Sequence, residues 1–338
     1  MTTKTQETRQ IQPDGSAVAL ASPDRPPSRW HAQGRARRGF TRRSPAGDVV
    51  MAYLAAHAAR LKTLDPLVRQ DAPDSVHQMR VAARRLRGTL QAYPAILPRS
   101  STQHLRDELK WLGGTLAEAR DGEVLTDYLE TRLGGMPPDP VLGTAQARTR
   151  AYFAPRIAHA RSTLLDALSS ARYYTMLAEL DRLLADPPLT AAAAKPAAEV
   201  LPPAIARSYR RTRRRMRRAR RAARGPGRDT ALHETRKAAK RSRYAAEAAQ
   251  PALGKKTRRF ARRMKAVQST LGDHHDAVNA AAAAREIGKR ANLAGENAVA
   301  FGLLRERAEH DAAGHEEAAL RAWKRARQRK ARAWADGS

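Results

Sequence analysis

The 338-residue sequence contains no cysteine, few aromatic residues and no long apolar run. Without cysteine there can be no disulfide bond, no thiolate nucleophile and no zinc or iron–sulfur site built on thiolates. A membrane-spanning helix needs about 18 consecutive apolar residues, and no stretch of the sequence approaches that length. Aromatic residues make up only 5% of the sequence, so recognition of single-stranded nucleic acid by base stacking has little support.

Acidic residues are also scarce relative to basic ones. The sequence has 64 lysines and arginines against 33 aspartates and glutamates, which gives a formal net charge of +31 at pH 7. Such an excess favours a polyanionic partner: nucleic acid, an acidic membrane surface or a phosphate polymer. The first residues, MTTKTQETRQ, lack the basic-then-apolar layout of a secretory signal, so we expect a cytoplasmic protein.

The composition and patterning predict an all-α protein. Alanine and arginine dominate, and no segment alternates between apolar and polar residues with the period of a strand. Residues 1–44 carry Pro, Gly, Ser and Arg without apolar periodicity, and we expect them to form a disordered basic arm. The helices should begin after Pro45 and fall into two halves, about 45–190 and 195–335, joined by the linker DPPLTAAAAKPAAEVLPP.

Three helix boundaries are specific enough to be checked. Asp74 or Ser75 should cap the helix that follows residue 75. Asp229 or Thr230 should cap the corresponding helix of the second half. The stretch TQHLRDELKWLGGTLAEARDGEVLTDYLETRL should form one helix and then another, ending near Gly134.

The strongest signal is an internal repeat. The segment SVHQMRVAARRLRGTL (75–90) returns as ALHETRKAAKRSRYAA (231–246) at a constant offset of 156 residues. A second motif follows in both halves, LKWLGGTLAEARDGEV (109–124) and MKAVQSTLGDHHDAVN (264–279), at an offset of 155 residues. Two motifs in the same order at nearly the same spacing predict a duplicated helical unit of roughly 150 residues. In the first motif the aligned pairs are His77 and His233, Arg80 and Arg236, Arg84 and Lys240, Arg85 and Arg241, and Arg87 and Arg243.

Each copy of the first motif places a stripe of cations on one face of a helix, beside an apolar flank that can pack. Like charges at this spacing repel by roughly a few tenths of a kcal/mol per pair, and a bound polyanion would relieve the repulsion. Arginine offers paired donors to phosphate oxygens, lysine a point charge, and histidine a donor that responds to pH. A stripe of this kind suits a repeating anion better than a single phosphate. We call the two stripes the cationic rails: His77, Arg80, Arg84 and Arg87 in the first half, and His233, Arg236, Lys240 and Arg243 in the second.

No motif of a catalytic site is present. The sequence has no Walker loop, GxGxxG, GxSxG or HExxH, so we expect neither an enzyme nor a cofactor. The segment GDHHDAV (272–278) invites a metal site, but the adjacent His274 and His275 would point about 100° apart on a helix. The aligned residues of the first half are alanine and arginine. We therefore expect no metal, and ion pairs from Asp121 and Asp276 to nearby cations.

The two copies VHQMRVAARRLRGTL and LHETRKAAKRSRYAA, followed by LGGTLAEARDGEVL and LGDHHDAVN, resemble the conserved histidine α-helical domain family, CHAD. The resemblance implies a CHAD domain at 45–335, built as two four-helix bundles related by pseudo-twofold symmetry around a basic groove or pore. It also implies non-catalytic binding of inorganic polyphosphate, in some members at polyphosphate-containing granules. The site residues that it implies are His77, Arg80, Arg84, Arg85, Arg87, His233, Arg236, Lys237, Lys240, Arg241 and Arg243, with Lys110 and Lys265 from the next helices.

Two alternative functions stay open at the level of sequence. One is a nonspecific nucleic-acid-binding protein, and the other is a phosphoanhydride hydrolase with a metal ion near residues 273–276. The sequence allows either a monomer or a dimer. If the rail histidines contact phosphate, binding should strengthen as the pH falls toward about 6.

Overall fold

The structure, a computed structural model, describes residues 39–136 and 145–328. No strand forms within those ranges, and an isolated antiparallel bridge joins Pro45 to Pro196. The all-α prediction is confirmed. Residues 1–38 of the predicted basic arm and the C-terminal residues 329–338 lie outside the described residues. The helices are α1 (Ala46–Arg69), α2 (Ser75–Ala92), α3 (Arg99–Gly134), α4 (Ala145–Ser169), α5 (Ala171–Ala185), α6 (Ala197–Arg221), α7 (Pro226–Leu253), α8 (Lys255–Leu293) and α9 (Val299–Ala326), with a 3₁₀ turn at Ala191–Ala194.

Helices α1 and α6, which open the two halves, begin side by side. The backbone N–H of Ala46 donates to the carbonyl of Lys195 at 2.9 Å, and the N–H of Ala197 donates to the carbonyl of Ser44 at 2.8 Å. A proline occupies the N-cap of each helix. The reciprocal bonds place equivalent points of the two halves against each other, while the duplication itself stays a prediction. None of the described helices has the length and apolar character needed to cross a bilayer.

Helix α3 is a single helix of 36 residues, so the expected break within it is wrong. Gly113 and Gly114 lie inside the helix with open space around both. Each glycine costs about 1 kcal/mol relative to alanine in a helix interior. Burial of one leucine face on the core outweighs that cost, because most helical stability comes from packing of the apolar face. That face consists of Leu105, Leu109, Leu112 and Leu116.

The expected capping bonds at the starts of α2 and α7 are also wrong. Helix α7 begins at Pro226, after Gly225 with a φ of 122°, a conformation that favours glycine. Both Asp229 and Thr230 therefore lie inside the helix rather than at its N-cap. At the start of α2, Asp74 does occupy the N-cap, but its carboxylate accepts from a glutamine side chain one turn on instead of from a backbone N–H.

Two apolar clusters form the core, and each contains residues from both halves of the chain. The larger cluster joins α1, α2, α5, α6 and α7 to the first parts of α3 and α8. The smaller cluster lies where the second parts of α3 and α8 meet the first parts of α4 and α9. Along α3 the clusters stop at Ala119 and resume at Leu129, and along α8 they stop at Leu271 and resume at Ala280. The polar belt between them contains Asp121, His275 and Asp276.

Helices α2 and α7, which carry the two rails, cross in direct contact at Gly88. A β-carbon placed on Gly88 would lie 2.8 Å from Cδ2 of Tyr244, whose side chain is buried. The two positions are aligned in the repeat, since 88 and 244 differ by 156. One turn on, the hydroxyl of Tyr93 donates to the backbone carbonyl of Ala245. The absence of a side chain at Gly88 thus lets the two cationic helices touch.

Replacing Gly88 with alanine tests this contact. The new β-carbon would force the buried ring of Tyr244 to move, and overpacking of this kind costs about 1–3 kcal/mol. The higher helix propensity of alanine returns at most about 1 kcal/mol of that loss. We expect the free energy of unfolding, measured by urea denaturation followed by circular dichroism, to fall.

The matched control is Gly113→Ala in α3, where an added β-carbon meets no atom within 4 Å. This variant should gain up to about 1 kcal/mol from helix propensity alone. If Gly88→Ala were stabilised to the same extent as Gly113→Ala, the close approach of α2 and α7 would be refuted.

Candidate anion-binding site

The two rails meet in one cluster of like charges. Lys240 on α7 is half-buried, and the pKa of its ammonium is lowered to about 6. Burial is the largest cause, followed by the positive charges of Arg236, Arg84 and Arg80. Arg84 and Arg80 lie on α2, so the rails that the sequence predicts separately act on each other across the two halves.

Two carboxylates from the polar belt border this cluster. Arg80 Nη1 lies 3.0 Å from Oδ1 of Asp121 on α3, which confirms one predicted ion pair. Asp276 on α8 forms no ion pair among the described residues. Burial raises the pKa of Asp276, while the charges of Arg236 and Lys240 oppose that shift. We call this group the central cluster: Arg80, Arg84, Asp121, Arg236, Lys240 and Asp276.

The backbone of α8 comes close to Arg236. A β-carbon on Gly272 would lie 3.2 Å from Nη2 and 3.4 Å from Nε of Arg236. Gly272 therefore leaves the space that the guanidinium fills, and the guanidinium lies against the helix instead of extending into solvent. The central cluster thus draws its residues from four helices: α2, α3, α7 and α8.

Glu247 neutralises two of the predicted site residues on one side of the crossing. Its carboxylate lies 3.2 Å from Nε of Arg85 on α2 and 2.6 Å from Nε of Arg243 on α7. It also accepts a hydrogen bond of 3.3 Å from the hydroxyl of Tyr53 on α1. Sequence reasoning missed Glu247, whose three partners come from three different helices.

Other predicted site residues have no such partner. No ion pair is formed among the described residues by Arg84, Arg87, Arg236, Lys240 or Arg241. A buried donor without an acceptor costs about 1–3 kcal/mol. An external anion that supplied acceptors would remove that cost. Among the predicted site residues, the buried side-chain nitrogens that reach no hydrogen-bond partner in the described part of the chain are Nε of Arg84, Arg87, Arg236 and Arg241, and Nδ1 of His233.

The histidines are held in their neutral form. The rings of His233 and His275 lie with centroids 4.0 Å apart and planes tilted by 41°. The pKa of each is lowered to about 4, first by burial and then by neighbouring charges that include Arg236 and Lys240. The ring of His77 is more exposed, and partial loss of solvent around it is the first cause that lowers its pKa. The sequence did not predict His275 as a partner of His233. One signal in the sequence could have indicated it: His275 is aligned with a basic residue of the first half, Arg120.

The adjacent His274 points elsewhere, as the helix geometry predicted. Its ring is buried, and Nε2 lies 3.4 Å from Oδ1 of Asp229 on α7. Because Asp229 lies in the first turn of α7, this contact ties α8 to the start of the helix that carries the second rail. His274 thus has a structural contact while His275 faces the rail.

Three predicted lysines are exposed and are not members of the central cluster. Lys237 is exposed, and its Nζ lies 2.9 Å from Oε1 of Glu234. Lys110 and Lys265 are exposed on α3 and α8. Each precedes the aspartate of its helix by 11 residues (121 − 110 and 276 − 265), about 16 Å along the helix axis. Only a ligand longer than the central cluster could contact them.

Comparison with known proteins agrees with this helical fold. The sequence matches the CHAD domain family over residues 52–285. An uncharacterised protein of Mycobacterium tuberculosis, in strains CDC 1551 / Oshkosh and ATCC 25618 / H37Rv, is 35% identical over 263 residues. Those residues are 77% of this chain and 49% of the relative, so the chain spans about half the length of these curated relatives. The chain belongs to the CHAD domain family.

Two solved structures are similar to this one. PptA from Streptomyces chartreusis has a TM-score of 0.70 at 26% identity, over 83% of this chain and 100% of that chain. The CHAD domain from the plant Ricinus communis has a TM-score of 0.61 at 24% identity, over 89% of this chain and 94% of that chain. The second similarity concerns the fold alone.

Lys240 should make the stability of the protein depend on pH. Its pKa is about 6 when folded against a usual value of 10.5, so the unfolded chain binds more protons between these limits. The free energy of unfolding therefore rises with pH across this window, and the cost of burying Lys240 is largest near pH 6. Lys240→Met removes the group that must lose its proton on folding, so we expect this variant to be more stable than the wild type near pH 6.5 by a margin that narrows toward pH 9.

Denaturant unfolding at four pH values between 6.5 and 9 measures this margin. Lys289→Met, at an exposed position of α8, is the control and should run parallel to the wild type. A constant difference between Lys240→Met and the wild type across the range would contradict a buried, titrating Lys240.

Proposed function

We propose that the chain binds inorganic polyphosphate between the two rails and catalyses no reaction on it. The observation that carries the proposal is the set of buried N–H donors without protein acceptors on α2 and α7. Phosphate oxygens accept from guanidinium groups in charge-assisted bonds, which are about twice as strong as neutral ones. Membership of the CHAD family, whose domains are linked to polyphosphate binding, supports the same assignment.

The spacing of the cations favours a chain of phosphates over a single one. Along α2 the cations available to a ligand run from Arg80 to Arg87, a distance of about 10 Å along the helix axis. The aligned residues of α7 repeat the arrangement from the other half. One phosphate cannot reach all of these groups, whereas a linear phosphate polymer offers an acceptor at every unit.

The enclosure of the site favours a slim ligand over nucleic acid. Arg84 and Lys240 are half-buried, and Nε of Arg84 is fully buried. A duplex presents its phosphates on a wide cylinder with the bases inside, and its contacts fall on exposed side chains. A polyphosphate chain carries neither sugar nor base and can enter between α2, α3, α7 and α8. The same chemistry would bring the chain to polyphosphate-containing granules in the cytoplasm.

Removing one cation from each rail tests the proposal. The double variant Arg80→Gln plus Arg236→Gln retains side-chain bulk but removes two charges from the central cluster. We expect its affinity for long-chain polyphosphate, measured by isothermal titration calorimetry, to fall by at least about tenfold, or 1.4 kcal/mol. Affinity should also depend less on salt, with a log–log slope shallower by about 2, if each lost contact removes about 0.9 as on DNA.

The matched control is Arg305→Gln plus Arg321→Gln on α9, two exposed arginines that each pair with a glutamate one turn away. It removes the same net charge far from the rails. Equal affinities of the two double variants would exclude the rails as the binding site. Two further outcomes would replace the proposal: displacement of polyphosphate by duplex DNA at equal phosphate concentration, or release of phosphate in the presence of Mg²⁺ or Mn²⁺.

The affinity should depend on pH through protonation of Lys240 near neutral pH and through protonation of the histidines at lower pH. Bound phosphate favours the protonated form of each group, so binding takes up protons and strengthens as the pH falls. In the protein without ligand the pKa of Lys240 is about 6 and that of His233 is about 4. The change in affinity between pH 8 and pH 6.5 should therefore come from Lys240. We expect Lys240→Met to flatten the affinity profile in that range and His233→Asn to keep it. A steep profile in Lys240→Met would show that another group titrates.

A further inference from the structure

A second group of arginines converges on the side of the crossing opposite Glu247. It surrounds a cavity of about 310 Å³ between α2, α3, α6 and α7, a volume at the lower end of the range for ligand pockets. No carboxylate is among the residues that line it. We call it the arginine pocket; its polar lining is formed by Gln91, Arg99, Arg106, Arg207, Ser208, Arg211 and Arg241.

The arginines of this pocket lack carboxylate partners. None of its five arginines forms an ion pair among the described residues, although Arg106 donates to the side chain of Gln103. The Nε atoms of Arg106 and Arg241 are buried and reach no acceptor in that part of the chain. Burial, and then the charges of Arg211 and Arg87, lower the pKa of Arg241 to about 10, with Glu234 opposing the shift. Positive charge is therefore concentrated here without a carboxylate paired to any of the five arginines.

The repeat explains why the two sides of the crossing differ. With the offset of 156 residues, Gln91 is aligned with Glu247. On the Glu247 side, the carboxylate binds Arg85 and Arg243. On the other side, the aligned arginines are Arg241 and Arg87, and a neutral amide stands where the carboxylate would be. One side thus carries its own anion, and the other is open to an external one.

We propose that the arginine pocket is a separate subsite for a condensed phosphate group of two or three phosphates, and that it anchors one end of a bound polyphosphate chain. Glu247 prevents the opposite side from doing the same, so the chain is held at a single end. For the long chain this inference rests on the proposed function, but the pocket itself can be tested with tripolyphosphate alone. Three helices, α3, α6 and α7, contribute its arginines, which gives a short anion several donors at once.

The decisive substitution is Gln91→Glu, which copies onto this side the carboxylate that Glu247 supplies on the other. It should bridge the pocket arginines and weaken binding of tripolyphosphate, measured by calorimetry without divalent metal, by at least about tenfold. Gln70→Glu, at an exposed position after α1, makes the same change of charge elsewhere and should stay within about twofold of the wild type. Thermal unfolding of each variant verifies that it is folded.

A second variant removes charge from the pocket without touching the core. Arg207 and Arg211 are exposed on α6, so Arg207→Gln plus Arg211→Gln should fold normally and also bind tripolyphosphate at least about tenfold more weakly. If Gln91→Glu and this double variant both bind tripolyphosphate as Gln70→Glu does, the pocket is not a phosphate subsite.

The central variant Arg80→Gln plus Arg236→Gln separates this inference from the proposed function. We expect its affinity for long-chain polyphosphate to fall by at least about tenfold, while its affinity for tripolyphosphate stays within about threefold of the wild type. Wild-type protein that binds the long chain but not tripolyphosphate would overturn the pocket and leave the proposed function standing. Tripolyphosphate binding that is sensitive to Gln91→Glu, without binding of the long chain, would support the pocket and overturn the proposed function.

Discussion

Direct contact between two positively charged helices is the constraint on which the rest of the structure depends. Helices α2 and α7 approach closely at Gly88 and Tyr244, and this contact brings Arg80 and Arg84 within electrostatic range of Lys240. Apolar burial on both helices holds them together against that repulsion, as the larger core cluster contains residues of each. Asp121 and Glu247 remove part of the repulsion, and the fold tolerates the rest.

The residual repulsion links stability to binding. Buried donors without acceptors and a lysine whose pKa is lowered to about 6 are unfavourable in the free protein. A ligand that supplies negative charge relieves both costs only in the folded chain, where the groups are gathered. Binding to the folded state alone stabilises it by mass action. The site therefore gains affinity from the same interactions that weaken the free protein.

The rails stay a prediction as a binding site, although Arg80, Arg84, Arg236 and Lys240 do meet in one cluster. The sequence predicts the fold class well, because helical periodicity and the repeat are local signals that survive in any helical packing. It does not predict the long α3, where the leucine face outweighs Gly113 and Gly114. It also misses Glu247 and the arginine pocket, whose members meet only after several helices pack together. The pKa of Lys240 lies beyond sequence reasoning for a related reason, since burial is its largest cause.

The repeat histidines do not act as the pH-responsive groups that the usual histidine pKa suggests. With a pKa of about 4, His233 stays neutral at physiological pH and can donate or accept a hydrogen bond without adding to the repulsion. A protonated imidazole beside the permanent cation Arg236 and the titrating Lys240 would raise that repulsion further. Neutral rings in contact at the edge of the central cluster supply directional donors where more charge would destabilise the crossing. The response to pH near neutrality then falls to Lys240, which the sequence presents as an ordinary member of the rail.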